Sequence, residues 1–443
     1  MGKAFCLSLF TITIFMLTTS IYNHLFKQGN HCYLFNSRNS FFAEIPKGLY
    51  EIIDNNDLRQ LDENTLCELT EKGIVTKPSS RYNFYNEEKV RFLSRTYDKE
   101  TLVLVLVPST SCNFACPYCF EEKKRPKIVD ITFIDNLIKF INDHTSAKHL
   151  HLTWYGGEPL LAFKQMSEIY DRIGKDCKIK IINHSIVTNG YLIDNNVIDF
   201  FKRANLNNIQ ITLDGCEKNH NKTRFLKADH SDTYNKIVSN ILKTAKELPS
   251  ISVNVRVNIN KNNSDDFIYL HNYFEKLEQP NIHVYPGLIE EPTPDGKAYC
   301  TSCITGEDVG EFYNSLKEKK CNYPNYPGYS SKGCMMQRLN SYIIGPEGEI
   351  YKCWEDVSNE DKIIGYITEK EIRNKPLFYR YLNDTSAFSD EKCKDCNLFP
   401  VCSGGCGQQR YRNLYENGRF NVCHEYQKME HLETALLNSI QKQ

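Results

Sequence analysis

The sequence predicts an α/β fold built around an open, partial (β/α)6 barrel, with a smaller unit on each side of it. Between residues 100 and 290, six short apolar runs alternate with helical runs, which favours a parallel sheet. The 18 cysteines lie mostly in two clusters, one early in this array and one after it. A length of 443 residues allows two or three domains with a sizeable core.

The composition is that of an ordinary globular protein. The formal net charge is −1, with 41% hydrophobic and 25% charged residues. A charge balance near zero gives no argument for binding to nucleic acid or to an anionic membrane surface. We therefore expect no nucleic-acid partner.

The first unit, residues 1–19, is interpreted as an apolar leader or as a translation start assigned too far upstream. Residues 4–19 are almost all apolar or small and follow Lys3, as in the hydrophobic region of a secretory signal. The stretch is short and interrupted by Ser and Thr, so we expect no stable membrane insertion and a cytoplasmic location. Met16 is an alternative start, and a true N-terminal anchor stays open as the other interpretation.

Residues 20–95 form the second predicted unit. Residues 31–36 and 40–45 have strand patterns on either side of Ser37-Arg38-Asn39, which predicts a hairpin. Short helices are predicted at 48–53 and 62–71. A small winged-helix-like domain and a plain cap on the next domain both fit this pattern.

The central unit, residues 100–290, contains the barrel. The six predicted strands are 102–107, 150–155, 179–187, 209–213, 251–258 and 282–286. The predicted helices between them are 131–143, 160–175, 193–204, 232–248 and 265–277. A complete TIM barrel has eight strands, so six predict an open, TIM-like partial barrel with its site at the carboxyl ends of the strands.

The last part of the chain is poorer in long elements and richer in thiols. Residues 291–333 are interpreted as a linker because 323–328 is rich in Pro, Tyr and Asn. Residues 334–443 form a cysteine-rich unit that we expect to fold around metal. A helix with the periodicity of 425–440 ends the chain and is expected to pack back on the barrel.

Three cysteines follow the first barrel strand at CxxxCxxC spacing: Cys112, Cys116 and Cys119. A loop there can place three thiolates around one inorganic centre. An ordinary cubane cluster uses four, so one iron would lack a protein ligand and be open to chemistry. The spacing alone also fits a structural zinc site.

Seven further cysteines lie at metal-like spacing near the C-terminus, in positions 334, 353, 393, 396, 402, 406 and 423. Disulfide frameworks are typical of small secreted domains without a large core, whereas this chain is long and has βα patterning. The clusters therefore indicate thiolate ligands rather than disulfides.

The CxxxCxxC motif, with Tyr118 before its last cysteine, resembles the signature of radical S-adenosylmethionine (SAM) enzymes. The resemblance implies that Cys112, Cys116 and Cys119 are the catalytic cysteines and hold a 4Fe-4S cluster. In that family SAM chelates the open iron and is cleaved to a 5′-deoxyadenosyl radical. Thiolates suit such a soft iron–sulfur centre.

Other strand ends resemble the family's SAM-binding loops. Residues Gly156, Gly157 and Glu158 match its GGEP motif, in which a side chain would block close approach of the backbone to the ligand. The resemblance also implies SAM contacts from four residues on later strands or loops: Asn189, Thr212, Arg224 and Asn258. Asn258 shares one strand face with Asn254 and Arg256, and that polar row fits either a ligand or solvent.

The C-terminal thiols resemble the seven-cysteine SPASM domain, which holds two auxiliary 4Fe-4S clusters; a pair of zinc knuckles is the alternative. The family order implies Cys334, Cys353 and Cys406 for the first cluster. It implies Cys393, Cys396, Cys402 and Cys423 for the second. The fourth ligand of the first cluster stays open between Cys321, Cys300, Cys303 and an unligated iron.

The resemblance implies a peptide or protein substrate and an electron donor such as flavodoxin or ferredoxin. We expect a maturase that cross-links a ribosomally made peptide by a thioether or C–C bond, with residues 20–75 binding the leader peptide as an added strand. An anaerobic sulfatase-maturating enzyme is an alternative, but such enzymes have an Asp base where this chain has Trp354, followed by Glu355 and Asp356. A non-catalytic peptide-binding partner and a heme- or quinone-cofactor maturase are further alternatives.

Overall fold

The computed structural model describes residues 16–119, 126–289, 303–304, 306–323, 326–423 and 429–440. Residues 1–15 of the expected apolar leader lie outside the described residues, as does Cys300.

The N-terminal unit is a small antiparallel sheet followed by helices. Its strands are β1 (Thr18–Thr19), β2 (Asn23–Gln28), β3 (His31–Asn36), β4 (Phe41–Ile45) and β5 (Val75–Thr76). Its helices are α1 (Lys47–Asp54), α2 (Glu63–Glu71) and α3 (Asn83–Thr96). The predicted hairpin is confirmed, because β3 pairs with β4 antiparallel. Strand β2 completes the sheet in the order β2-β3-β4, so β4 is an edge strand.

This unit has its own apolar core. Leu34 on β3 packs with Ile53 on α1 and with Leu66 and Leu69 on α2. Asp62 caps α2, since its side chain accepts a hydrogen bond from the Thr65 backbone N–H at 3.0 Å. The sheet and the first two helices are therefore held together by residues of this unit.

The barrel forms as predicted from six parallel strands. They are β6 (Thr101–Ser109), β7 (His149–Gly156), β8 (Lys180–Thr188), β9 (Asn208–Leu213), β10 (Ser252–Ile259) and β11 (Ile282–Leu288). Their order in the sheet follows the chain, which gives an open barrel. The helices are α4 (Ile131–Asp143), α5 (Phe163–Asp176), α6 (Asn195–Arg203), α7 (Glu217–Thr223), α8 (Tyr234–Glu247) and α9 (Ser264–Glu275).

Alternation along the strands separates the two faces of the barrel. On β10, Val253, Val255 and Val257 are fully buried in the main core cluster together with residues of the surrounding helices. The intervening Arg256 and Asn258 lie on the other face, because successive side chains of a strand point in opposite directions. The apolar core therefore lies between the sheet and the surrounding helices, and the polar row faces the inside of the barrel.

The sheet does not stop at the six predicted strands. Strand β12 (Ser341–Ile344) pairs parallel with β6, and β13 (Glu349–Tyr351) and β14 (Gly365–Tyr366) continue antiparallel. The cysteine-rich unit is thus continuous with the barrel sheet. Its residues Ile343 and Tyr351 pack with Val105 and Val107 of β6, which would otherwise face an open barrel edge.

The predicted linker contains a helix, α10 (Gly306–Glu318). Its buried residues Val309, Phe312 and Leu316 join the barrel core, so this segment is an ordered part of the barrel wall. The remaining helices are α11 (Lys375–Asn383), α12 (Glu391–Lys394), α13 (Gly407–Tyr415) and α14 (Met429–Ile440).

The predicted tail helix forms. It contacts α10 of the barrel wall, as expected, and it also packs on the N-terminal sheet. Leu432 and Leu436 of α14 pack with Phe26 and Tyr33 of the N-terminal sheet. Nε2 of His24 on β2 lies 3.1 Å from the Glu433 carboxylate. The last helix therefore covers one face of the first sheet.

Among the residues that the structure describes, every helix is too short or too polar to cross a bilayer.

We expect Leu436→Ala to destabilise the contact between the tail helix and the N-terminal sheet. Leu436 is fully buried, so the truncation leaves a cavity that costs about 2–5 kcal/mol. Hydrogen exchange of residues 31–36 should become faster in this variant. Glu430→Ala, at an exposed position of the same helix, is the control and should leave the exchange rate unchanged. Equal exchange in both variants would contradict the packing.

Candidate active site at the carboxyl ends of the barrel strands

The three cysteines of the CxxxCxxC motif lie on the loop that leaves β6. All three are partly buried. The buried ring of Phe114 anchors the loop, and the Phe114 N–H lies 3.4 Å from the Cys112 sulfur. The loop is also joined to the chain after α7, because the Ala115 N–H donates to the Phe225 carbonyl at 3.2 Å. Burial raises the pKa of the Cys112 thiol to about 12.

The two glycines after β7 lie against this loop. The Gly157 N–H donates to the Ser109 carbonyl at 3.1 Å. A Cβ atom at position 157 would lie 2.4 Å from the carbonyl oxygen of Ser111. Gly156 has φ +128°, which side chains rarely adopt, and a Cβ there would lie 2.4 Å from the Ser109 oxygen. The structure therefore requires both glycines where two backbones meet.

Glu158 links this loop to the next strand end. Its side chain is fully buried, and its two carboxylate oxygens accept from the Thr188 hydroxyl at 2.7 Å and the Asn189 N–H at 2.8 Å. Burial raises the pKa of this carboxyl, and these hydrogen bonds lower it. The Asn189 side-chain amide donates to Asn113 Oδ1 at 2.8 Å. Three consecutive strand ends are thus joined through Glu158 and Asn189.

Arg224 lies at the centre of a buried polar cluster beside the cysteines. Its guanidinium donates to the Tyr118 hydroxyl at 3.0 Å and is 3.9 Å from the Asp214 carboxylate. The Tyr118 hydroxyl in turn donates to Asp214. Asn258 donates to Asp214 at 3.2 Å. Two of the predicted residues, Arg224 and Asn258, therefore meet at one place together with the tyrosine of the cysteine motif.

Asp214 is a site residue that the sequence analysis missed. It is 4% exposed and directly follows β9 at the same barrel end as the cysteines. The sequence signal that could have identified it was an acidic residue between the end of a predicted strand and a glycine, which has φ +110° in the structure. Thr212, which was predicted, lies half-buried two residues earlier, opposite Arg256 in the neighbouring strand.

A neutral histidine fixes the backbone around Arg224. The Asp214 N–H donates to His220 Nδ1 at 3.3 Å, so Nε2 carries the proton and contacts the Thr233 hydroxyl at 3.0 Å. That hydroxyl donates to the Arg224 carbonyl. Burial, and the charge of Arg224 after it, lower the pKa of His220 to about 2. The histidine therefore stays uncharged and orients the arginine segment.

The polar row of β10 has two environments. Asn258 belongs to the Arg224 cluster, and Arg256 Nε donates to Asn258 Oδ1 at 3.0 Å. Asn254, at the other end of the strand, donates to Asn208 Oδ1 at 3.0 Å. The row thus reaches the site only through Asn258 and Arg256.

The seven C-terminal cysteines form two groups. Burial raises the pKa of Cys334, and the neighbouring Cys406 raises it further. Burial likewise raises the pKa of Cys353 well above its usual range, followed by Asp356, Glu355 and Cys334. These three thiols are therefore neighbours.

The other four thiols also lie close together, as the pKa shifts of two of them indicate. Burial raises the pKa of Cys396, and both Cys402 and Cys423 raise it further. Cys393 has Cys402 beside it. The assignment of these seven thiols as ligands of two clusters stays a prediction.

Within the part of the chain described, no three ligand-type side chains converge on a single metal ion. In a cluster each thiolate binds a different iron, so its ligands are spread more widely. Cys321 is buried in the barrel core and Cys303 is disulfide-bonded.

Trp354 connects the first of these groups to the barrel. Its ring lies 4.4 Å from the ring of Tyr155, edge to face, and Tyr155 precedes Gly156. Asp356 is buried, accepts from the Tyr381 hydroxyl at 2.8 Å and the Gln408 amide at 2.6 Å, and has its pKa raised to about 6 by burial. Glu355 is half-exposed, 3.7 Å from Arg412. Both acids after Cys353 therefore already contact residues of the C-terminal unit.

The donor set at the main site fits an iron–sulfur cluster with an anionic ligand. Three half-buried thiols supply the soft ligands. Two buried donors beside them, Arg224 Nε and Asn113 Nδ2, have no hydrogen-bond partner among the residues that the structure describes. Unsatisfied buried donors are costly, so an oxygen-rich group at this position would stabilise them.

Comparison with known proteins supports this assignment. Residues 106–274 match the radical SAM superfamily. The chain is 27% identical to a cysteine-type anaerobic sulfatase-maturating enzyme of Clostridium novyi, covering 73% of this chain and 92% of the relative. It is 24% identical to the radical SAM cyclopropyl synthase TigE of Paramaledivibacter caminithermalis, covering 90% and 92%.

Two solved structures share the fold. The native anSMEcpe structure with bound AdoMet superposes with a TM-score of 0.60 at 21% identity, covering 77% of this chain and 99% of that one. Streptococcus suis SuiB bound to precursor peptide SuiA superposes with a TM-score of 0.51 at 16% identity, covering 92% and 100%.

We expect Gly157→Ala to disorder the cysteine loop. The added Cβ would meet the Ser111 carbonyl at 2.4 Å, and a backbone atom cannot move aside without shifting the loop. Iron bound per chain after anaerobic reconstitution should fall. Gly174→Ala, on α5 with open space around it, is the matched control and should bind iron like the parent. Full iron loading of Gly157→Ala would contradict the packing argument.

Proposed function

We propose that this radical SAM enzyme modifies a ribosomally made peptide, forming a thioether or C–C cross-link. The observation that carries the proposal is the N-terminal sheet, whose β4 edge has no strand partner in the part of the chain described. An exposed strand edge can bind a peptide as an added strand through main-chain hydrogen bonds. The structure of SuiB bound to its precursor peptide, a fold relative across 92% of this chain, supports the same substrate class.

The chemistry comes from the cofactors. When bound at Cys112, Cys116 and Cys119, a 4Fe-4S cluster and SAM supply a 5′-deoxyadenosyl radical that abstracts hydrogen from a peptide carbon. The chain's own residues bind and orient these groups and exclude water. A small protein electron donor, flavodoxin or ferredoxin in type, would reduce the enzyme.

The residues of the main site have separate tasks in this proposal. Arg224 and Asn113 present buried donors to the anionic end of SAM. Asn258 and Asp214, joined to each other, face the same space and can hydrogen-bond ribose or amino groups. Gly156 and Gly157 allow backbone contact with the ligand, and Thr212 faces the barrel interior.

Glu158 and Asn189 act mainly by position. Glu158 has both carboxylate oxygens taken by protein donors, so it holds the loops in place. Asn189 reaches Asn113, the residue after the first cysteine. Together they keep the cysteine loop aligned with the next two strand ends.

The seven C-terminal cysteines would hold two auxiliary 4Fe-4S clusters. Cys334, Cys353 and Cys406 supply three ligands of the first cluster. With Cys321 in the barrel core, we propose that this cluster keeps an iron open to a substrate group. The contact of Trp354 with Tyr155 supports a position of this cluster near the glycine loop, where substrate and SAM would meet.

The second group, unlike the first, has a full set of four protein ligands. Cys393, Cys396, Cys402 and Cys423 supply the four thiolates that a cubane cluster uses. This cluster would therefore serve electron transfer or structure rather than substrate binding.

A sulfatase-maturating activity is the second candidate. The relative at 27% identity favours it. Against it, Trp354 packs on Tyr155 where such enzymes carry an acidic base, and Asp356 is buried between Tyr381 and Gln408. A degenerate, non-catalytic partner is disfavoured because all three cysteines of the radical motif are present.

We expect Cys116→Ala to abolish SAM cleavage. The variant removes one of only three thiolates at the open-iron cluster. Formation of 5′-deoxyadenosine in the presence of a chemical reductant is the measurement. Cys177→Ala, which alters a half-buried thiol just after α5, is the control and should retain cleavage. Cleavage that survives in Cys116→Ala would overturn the site assignment.

Incubation of the reconstituted enzyme with SAM, reductant and a peptide tests the substrate class. A precursor peptide encoded beside the enzyme should lose two hydrogens per cross-link in its mass spectrum. A version of the same peptide without its leader should react more slowly, because it lacks the segment that adds to β4. A sulfatase-derived peptide converted to formylglycine, with precursor peptides unchanged, would favour the second candidate instead.

A further inference from the structure

The second group of C-terminal thiols has an arginine hydrogen-bonded to one of its sulfurs. Arg410 lies on α13 and is 7% exposed. One guanidinium nitrogen, Nη2, is 3.6 Å from the Cys393 sulfur. The same nitrogen donates to the Gly404 carbonyl at 3.0 Å, and Nε donates to that carbonyl at 3.1 Å. The third nitrogen, Nη1, donates to the Asp390 carboxylate at 2.6 Å.

This geometry fixes the arginine in one orientation. A guanidinium has a rigid planar fork of donors, and here every nitrogen has an acceptor. An arginine guanidinium stays protonated in proteins. A permanent positive charge is therefore held against a sulfur of this group.

The first thiol group has a different electrostatic environment. Its Cys353 lies beside two carboxylates, those of Asp356 and Glu355. Positive charges are also close, with Lys352 near Cys334 and Arg412 near Cys406. Opposite charges are thus mixed around the first group. The sulfurs of that group accept hydrogen bonds from the backbone, including the N–H groups of Met336 and Glu355.

Hydrogen bonds to cluster sulfurs are one of the ways in which a protein sets a cluster's reduction potential. Reduction adds an electron, so the more negative state gains more from a nearby cation and from a donated N–H. A donor fixed in the folded protein costs little reorganisation when the electron arrives. Arg410 should consequently make the cluster beside it easier to reduce than the same cluster would be without the arginine.

We propose that Arg410 is a positioning residue that raises the reduction potential of the second auxiliary cluster. The inference rests on the proposed cluster assignment. A cross-link removes two hydrogens from the peptide: one leaves as an atom to the 5′-deoxyadenosyl radical, the other as a proton to solvent and an electron. An oxidised cluster held by Cys393, Cys396, Cys402 and Cys423 would accept that electron more readily with Arg410 beside it and would pass it on to the external carrier protein.

The test is a redox titration of the reconstituted full chain, followed by electron paramagnetic resonance, without peptide. The background carries Ala at Cys112, Cys116 and Cys119, so that only the auxiliary clusters contribute. Arg410→Gln should lower the midpoint potential of one cluster and leave the other unchanged. Loss of one charge-assisted hydrogen bond changes the reduction equilibrium about tenfold, or about 59 mV for one electron.

Three further variants separate charge from folding. Arg410→Lys keeps the charge but not the fork and should give a smaller downward shift. Asp390→Asn keeps a capping side chain for α12 but removes the negative charge near Cys393, so it should raise the potential. Damage to the fold would reduce cluster content and would not give shifts of opposite sign. Arg373→Gln, at an exposed ion pair with Glu369, is the control without a shift.

The outcomes distinguish this inference from the proposed function. If the background with Ala at Cys112, Cys116 and Cys119 binds iron for fewer than two clusters, the cluster assignment fails. If two clusters form and Arg410→Gln leaves both potentials unchanged, the role of Arg410 is overturned while the peptide-modifying function stands. If Arg410→Gln does not fold, Arg410→Lys decides: a downward shift of one potential supports the role, and no shift overturns it.

Discussion

The close approach of two backbones, those of the cysteine loop after β6 and the glycine loop after β7, is the constraint on which the site depends. Gly157 and Glu158 donate backbone hydrogen bonds to Ser109 and Ser111 at 3.1 and 2.9 Å. Such contact leaves no room for a Cβ atom. The buried Glu158 carboxylate then extends the connection to β8. Three loops that carry different chemistry are therefore fixed relative to one another before any ligand binds.

Because these loops are already fixed, cofactor binding costs little conformational entropy. A cluster needs its thiolates at set positions, and a chelating ligand needs donors at a set distance from the open iron. Here the loop that carries the thiols and the strand end that carries Arg224 are also joined, through the Ala115–Phe225 hydrogen bond. The neutral His220 orients the arginine segment without adding a second charge. The site is preorganised by hydrogen bonds that involve no cofactor.

The barrel was predictable from sequence because its strands and helices carry strong local patterns. The helix at Ile131–Asp143 begins at Asp130, whose side chain caps it, and its ends match the prediction. Strand β12 was not predictable, because its pairing with β6 depends on a partner more than 200 residues away in the chain. Asp214 was missed for a related reason. One acidic residue in a sequence does not indicate a site. Asp214 becomes recognisable only when the fold brings Tyr118, Arg224 and Asn258 next to it.

The C-terminal helix on the N-terminal sheet has a consequence for the order of folding. Phe26, Tyr33 and Phe35 are synthesised long before the residues that cover them, Leu432 and Leu436. Domains tend to fold from the N-terminus during translation. On the ribosome this sheet therefore has an uncovered aromatic face until the residues of α14 have been synthesised. Packing of α14 therefore completes the folding of the sheet. A chain truncated before residue 429 would leave this apolar face exposed, where chaperones could bind and aggregation could begin.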